Sequence, residues 1–276
     1  TKPLGYNKNQ VVSIPIEGEI NNVAALEMMR AKLATHTSVE AITGIYDNLG
    51  RGLDGSQRRS VVGFDYKNRG ISTVWMGVSY DFIKALDLKL VAGRDFSREL
   101  LTDSNAILIN EAMAQELGEK NVVGMSFPIR ENGPPKQVIG VISNFNFESL
   151  RGKIKPLTLV LESRFPPNYI LVKVKPDDLP ASMQLLKDTW AQIAPGTGFN
   201  GSFLDENVDR QYRREEKLGR IFIYGAVVAI VLSCMGLLAM VMLIIAQRIK
   251  EIGIRKVLGA SASNIVGIIS KEFLLL

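Results

Sequence analysis

The stretch 221-IFIYGAVVAIVLSCMGLLAMVMLIIA-246 contains 26 residues and no charged side chain. At about 1.5 Å per residue a helix of this length reaches roughly 39 Å, enough to cross a hydrocarbon layer of about 30 Å with some tilt. A core helix of a water-soluble protein of that length would show a polar stripe, and this stretch has none. It reads as a transmembrane helix, and the rest of the chain is organised around it.

The charge distribution divides at the same place. Residues 1–220 hold 28 of the 33 Lys+Arg and 26 of the 28 Asp+Glu, a near balance. The net charge of +5 is therefore not a basic face of the kind that binds nucleic acid. Directly behind the apolar run, 248-RIKEIGIRKVLGAS-261 places Arg248, Lys250, Arg255 and Lys256 against the single acid Glu251. Cations crowded at one end of a span mark the cytoplasmic side. The mixed flank at 203–220 does not decide orientation by charge. The large domain that must precede it is expected outside the cytoplasm, so that residues 1–220 are extracytoplasmic. Cys234, the only cysteine, lies inside the apolar run, so the outer domain is expected to stand on its core without a disulfide. With no Met at its start and an apolar run at its end, the chain reads as a piece of a longer polypeptide, without a signal peptide.

Periodicity supplies the outer architecture. Strand 11-VVSIPI-16, a helix over 22–34 with Ala24, Leu26, Met28, Met29 and Leu33 apolar, and strand 41-AITGIY-46 form one β-α-β unit. Strand 169-YILVKV-174, a helix opened at Pro180 and running to about Ile193, and strand 201-GSFLDE-206 form another. Between them, about 58–162 is strand-rich, with strands at 58–66, 72–79, 105–110, 137–143 and 156–162 and short helices at 80–87 and 110–118. The expected fold class is an α+β extracytoplasmic domain, a split βαβ subdomain with an inserted β-rich subdomain, followed by α-helical transmembrane segments. The expected divisions are an outer domain over 1–204, a stalk helix over 205–220, the span 221–246, a cytoplasmic segment 247–261 and the start of a further span at 262–276. In the stalk, Glu206/Arg210, Asp209/Arg213 and Glu216/Arg220 are i,i+4 pairs with the acid first, the favourable order.

Chemistry-bearing motifs are scarce. The match 196-GTGFNG-201 to G-x-G-x-x-G comes after a helix and before a strand, the reverse of a dinucleotide loop, and reads as a turn. No Walker loop occurs, His36 is the sole histidine, and neither a Cys/His cluster nor a D-x-D-x-D run is present. No catalytic, cofactor or metal site is expected. Asp177 and Asp178 read as the capping region of the next helix, and Trp75, Phe145 and Phe147 as core.

The segment 248–261 with 264-NIVGIISKEFLLL-276 resembles the signature of MacB/FtsX-type permeases of ABC transporters, between the second and third permease helices. The stretches 78-VSYDFIKALDLKLVAGRDFS-97, 107-ILINEAMAQELG-118 and 138-VIGVISNFNFESL-150 resemble that family's periplasmic core domain, including a G-R-x-F element at Gly93–Phe96. The opening 4-LGYNKNQVVSIPI-16 is similar to the segment behind a preceding membrane helix in large permeases of this kind. The resemblance implies a bacterial inner-membrane permease subunit without enzymatic activity, which passes movement from a cytoplasmic ABC ATPase to the outer domain during export or mechanotransmission. It further implies a second permease half or protomer, surrounding lipid and a periplasmic adaptor as partners. Arg248, Lys250, Glu251, Ile252, Gly253, Ile254, Arg255, Lys256 and Gly259 would form the coupling and topology-setting element, and Glu206, Asp209, Arg210, Arg213, Glu216 and Arg220 the stalk. In that element Ile249, Ile252, Ile254, Val257 and Leu258 make an amphipathic strip at the interface, Gly253 and Gly259 permit close packing or a break, and Ser261 or Ser263 can cap the next helix. The alternative is a single-span receptor with an outer sensing domain, but 264–276 is apolar where a receptor would continue into a soluble signalling helix.

Overall fold

The structure is a computed structural model and describes residues 5–7, 10–53, 55, 60–128, 134–147, 153–161, 166–261 and 267, without the side chains of 211–217. Two compact units result, Thr1–Arg213 and Arg214–Leu276.

The first unit is built on two sheets. β1 (Val11–Pro15), α1 (Asn22–Leu33) and β2 (Val39–Ile45) open the chain, and β10 (Tyr169–Val174), α4 (Leu179–Ile193) and β11 (Ser202–Phe203) complete the same subdomain. Their sheet has the order β11-β1-β10-β2 with every neighbour antiparallel, so β10 lies between the parallel strands that α1 joins. That is the split βαβ arrangement, as the two β-α-β units lead one to expect. Asn21 and Asp178 start the helices by accepting from the Ala24 and Ala181 amides. The buried side of α1 is Ala25, Leu26, Met29 and Leu33, whereas Met28, another of its apolar positions, is exposed. These residues pack with Leu186, Trp190 and Ile193 of α4 on Val12, Ile14, Ile170, Val172 and Val174. Alternate residues of the same strands, Val11, Ile45, Tyr169 and Leu171, point the other way into a second core.

That second core is shared with the inserted subdomain. Its strands are β3 (Ser60–Tyr66), β4 (Arg69–Gly77), β5 (Leu90–Gly93), β6 (Ala106–Asn110), β7 (Ser126–Phe127), β8 (Lys136–Ile142) and β9 (Leu157–Val160), with helices α2 (Phe82–Leu86) and α3 (Glu111–Leu117). The sheet runs β3-β4-β9-β6-β8-β5, with β7 on β8, and mixes parallel pairs (β4/β9, β6/β8) with antiparallel ones. Trp75, Phe145 and Phe147 are buried, as their core reading required. The short strands β5 and β7 are additions to the expected set. The expected strand ends at 58–59 and 162, and the motif end at 148–150, lie outside the described residues.

The G-R-x-F element has a structural job. Gly93 has φ +77°, and a Cβ there would stand 2.2 Å from the Ile139 carbonyl oxygen, so only glycine fits. Arg94 donates through both terminal nitrogens to Asp103, at 2.8 and 2.6 Å, and Phe96 is buried. The loop 94–103 is thereby clamped on the sheet edge. The Arg94 guanidinium, by hydrogen bonding, holds the Asp103 carboxyl below the usual carboxylate range. The folded value is the lower one, so this contribution is complete above the unfolded aspartate value of about 3.9 and disappears as pH falls through the folded value. Arg94 is 43% exposed, which screens the pair, and Arg94→Ala is expected to cost about 1–3 kcal/mol at pH 7. Urea denaturation of the chain at pH 7 and pH 3 checks this, since the variant's deficit should shrink at the lower pH.

Candidate functional site

The strand expected over 201–206 stops at Phe203, and Leu204 begins α5 (Leu204–Gln247), a helix of 44 residues. Within it Leu218–Gln247 is long and apolar enough to cross a membrane. Its side chains are exposed almost throughout, the pattern of a helix whose solvent is lipid. The backbone leaves the helix for one residue at Arg248, where the apolar run ends, and resumes as α6 (Ile249–Val257).

α6 closes by hydrogen bonds from the Gly259 amide to the Lys256 carbonyl and from the Ala260 amide to the Arg255 carbonyl. With Gly259 at φ +91° this is the Schellman arrangement, so of the two glycines Gly259 makes the break and Gly253 lies inside the helix. At 100° per residue Ile249, Ile252, Gly253 and Val257 fall on one side, with Lys256 among them, and Glu251 and Arg255 on the other. Glu251 and Arg255 pair at 2.6 Å across one turn; both are exposed, so the pair is worth only about 0.3–0.5 kcal/mol. Ile249, Ile254, Val257 and Leu258 are exposed too. The structure therefore presents Arg248, Lys250, Glu251, Ile252, Ile254, Arg255 and Lys256 on one short capped helix and its entry turn. Ser263 and the expected further span at 262–276, Gly267 apart, lie outside the described residues.

At its other end α5 is rooted in the outer unit. Leu204, Asn207 and Val208 are buried, and Leu204 belongs to the core that both subdomains share. The Asn207 carbonyl accepts from the Arg51 amide at 2.9 Å, and its side-chain oxygen accepts from the Ser202 hydroxyl at 2.7 Å. Of the stalk pairs, Glu206 and Arg210 meet at 3.4 Å. The pairs Asp209/Arg213 and Glu216/Arg220 involve side chains outside the described residues.

A cleft of about 480 Å³ opens within the outer unit where its two subdomains cross. Val23, Leu26, Glu27 and Arg30 of α1 form one wall, and Gly77–Tyr80, Pro166 and Pro167 the other. Arg30 spans it, donating to the Ile42 carbonyl in β2 and to the Tyr80 carbonyl beyond β4, while burial pulls its pKa down and Glu27 opposes that. The α1 residues recur at i, i+3, i+4 and i+7, a spacing that sequence alone reads as ordinary core. The turn at 196–201 follows α4 and precedes β11, the reverse of the strand-to-helix order of a dinucleotide loop. Among the described residues no group of three or more potential metal ligands gathers.

The chain is thus a split βαβ domain with an inserted sheet that leads into a membrane-length helix and a basic capped helix. The family is fixed by the comparisons. The model of the MacB-like periplasmic core domain matches residues 7–188, and that of the FtsX-like permease C-terminal region matches 223–276. The chain belongs to the MacB/FtsX family of ABC-transporter permeases and is a membrane protein. The periplasmic region of MacB from Actinobacillus actinomycetemcomitans superposes with a TM-score of 0.52 at 14% identity, over 73% of this chain and 92% of that one. The extracellular domain of the noncanonic ABC-type transporter YknZ from Gram-positive bacteria gives 0.45 at 18% identity, over 70% and 98%. No curated protein matches the chain.

Proposed function

We propose that this chain transmits ATPase-driven conformational change across the bacterial inner membrane to its outer domain, in export or mechanotransmission, with hydrolysis in a separate cytoplasmic ABC ATPase. The observation that carries the reading is α5: one helix has its first turns inside the outer domain's core and its last turn at the basic α6. A helix can pass a push or rotation along its axis because each backbone bond is satisfied within it, in lipid as in water. Arg248, Lys250 and the rest of α6 set the cytoplasmic end, and Arg255 and Lys256, with Ile252 and Ile254, meet the ATPase. A second permease half or protomer packs beside the span, lipid surrounds it, and a periplasmic adaptor meets the outer domain.

The test is charge reversal in the full-length permease with its ATPase. Each partly exposed ion pair is worth up to about 1 kcal/mol, so Arg255→Glu with Lys256→Glu should weaken ATPase association and nucleotide-dependent transport roughly tenfold, with membrane insertion intact. Unchanged association and transport would overturn the assignment of α6.

A further inference from the structure

The segment from Gly44 to Arg51 touches both the base of α5 and the cleft between the subdomains. It is also one of the two places where the chain crosses from the split βαβ subdomain to the inserted one, the other being the approach to β10.

At its far end the contact is backbone on backbone. Gly50 has φ +74°, and a Cβ there would lie 2.8 Å from both the Asn207 carbonyl carbon and the Val208 nitrogen. The Arg51 amide donates to the Asn207 carbonyl. Asn48 and Leu49 are buried beside it, and the Ser13 hydroxyl ties the Asn48 side chain to β1 at 3.0 Å. Asn207 is fully buried, and its amide nitrogen has no hydrogen-bond partner among the described residues.

At its near end the segment is part of the cleft wall. The Ser79 amide donates to the Gly44 carbonyl at 2.8 Å and the Tyr46 amide to the Gly77 carbonyl at 2.9 Å, which joins β2 to the end of β4. The Asn168 side chain donates to the Tyr46 carbonyl, bringing in the second crossover. Gly44, Gly77, Ser79 and Tyr80 all line the cleft.

We infer that Gly44–Arg51 is a strap that converts displacement of α5 into opening or closing of the inter-subdomain cleft, with Gly50 and Asn207 as its positioning residues. The inference rests on the transmission reading above and adds where the movement is delivered. Close-packed backbone contacts leave no room for α5 to slip past the strap, so a displaced helix must carry it along. The strap's other end is paired to β10 in the split sheet and bonded to Gly77 and Ser79 of the inserted subdomain, so a displaced strap turns that subdomain about this junction relative to α1.

The experiment uses the full-length permease with its ATPase in lipid nanodiscs, with Cys234 and every other native cysteine replaced by Ala. Spin labels at Val23→Cys in α1 and Ser104→Cys in the inserted subdomain, both of which line the cleft, report its width, and labels on α5 of two protomers report the helix. Between the nucleotide-free and ATP-analogue states the cleft distance should shift, and Gly50→Ala should abolish most of that shift while α5 still moves. Should Gly50→Ala not fold, Asn207→Ala, which cuts only the side-chain bond to Ser202, should reduce the shift. A cleft distance that stays constant while α5 moves, or a shift that survives in the folded variants, would refute the strap and leave transmission standing. If neither label pair responds to nucleotide, the transmission reading itself falls.

Discussion

Trp190→Ala is expected to lower the unfolding free energy of the outer domain by about 3–5 kcal/mol, the cost of emptying a large aromatic site that cannot fully collapse. Trp190 is 1% exposed and is wedged between α1 and the sheet of the split βαβ subdomain. No other side chain in that core has its volume, so its loss removes contacts from α1, α4 and the strands together. Its indole nitrogen is buried without a hydrogen-bond partner among the described residues. Trp190→Phe should therefore cost much less, under about 1.5 kcal/mol, because removing an orphaned donor offsets part of the lost volume. Urea denaturation of the chain in detergent checks both. Equal losses for the two variants would mean that the indole itself, and not the volume it fills, decides stability at the site.

Gly225→Pro is expected to have the largest effect on coupling. Proline inside a helix removes a backbone bond, clashes with the preceding turn and costs about 3 kcal/mol. Within lipid the freed carbonyl has no water to accept from, so the helix kinks. If that cost falls on the state in which α5 is loaded, its population drops about a hundredfold, because each 1.4 kcal/mol is tenfold. ATP hydrolysis by the partner ATPase should persist, while nucleotide-dependent transport falls by about two orders of magnitude. The same substitution at Gly259 breaks no α5 bond, but it removes the amide that closes α6 and forbids its φ of +91°, so it should disrupt the end of α6 while the span stays intact.

Much of this architecture is legible in the residues because it depends on local pattern. The uncharged run at 221–246 needs only its length to be read as a membrane helix. In 169-YILVKV-174 the two faces separate as an alternating strand requires: Ile170, Val172 and Val174 enter one core and Tyr169 and Leu171 the other. The mid-strand Lys173 is held by Asp87 and Glu40 at 2.6 and 3.1 Å. At 201–206 the same pattern misleads. Leu204 reads as a strand residue, but its side chain drops into the shared core and its backbone has already turned into α5. The helix there gains the Glu206–Arg210 pair, whereas a longer strand would have had only β1 to pair with.

The cleft and the strap were not legible for a different reason. Arg51 and Asn207 meet although they lie far apart in the sequence, and neither belongs to a motif. A glycine at position 50 signals a turn, and only the three-dimensional structure shows that the turn faces the Asn207 backbone. Arg30 looks like a solvated cation on a helix until Ile42 and Tyr80 are seen to converge on it. In α6, by contrast, the apolar strip and the cations were readable in the sequence, and the structure added the helix, its closure at Gly259 and the one-residue break at Arg248.

The central claim is that nucleotide at the cytoplasmic side changes the outer domain through α5. Amide hydrogen exchange on the full-length permease with its ATPase, in nucleotide-free and ATP-analogue states, tests it most directly. The account predicts altered protection in peptides covering 44–53 and 202–210, with the rest of the split sheet unchanged. Identical protection across the outer domain in both states, while ATP is being bound and turned over, would contradict it.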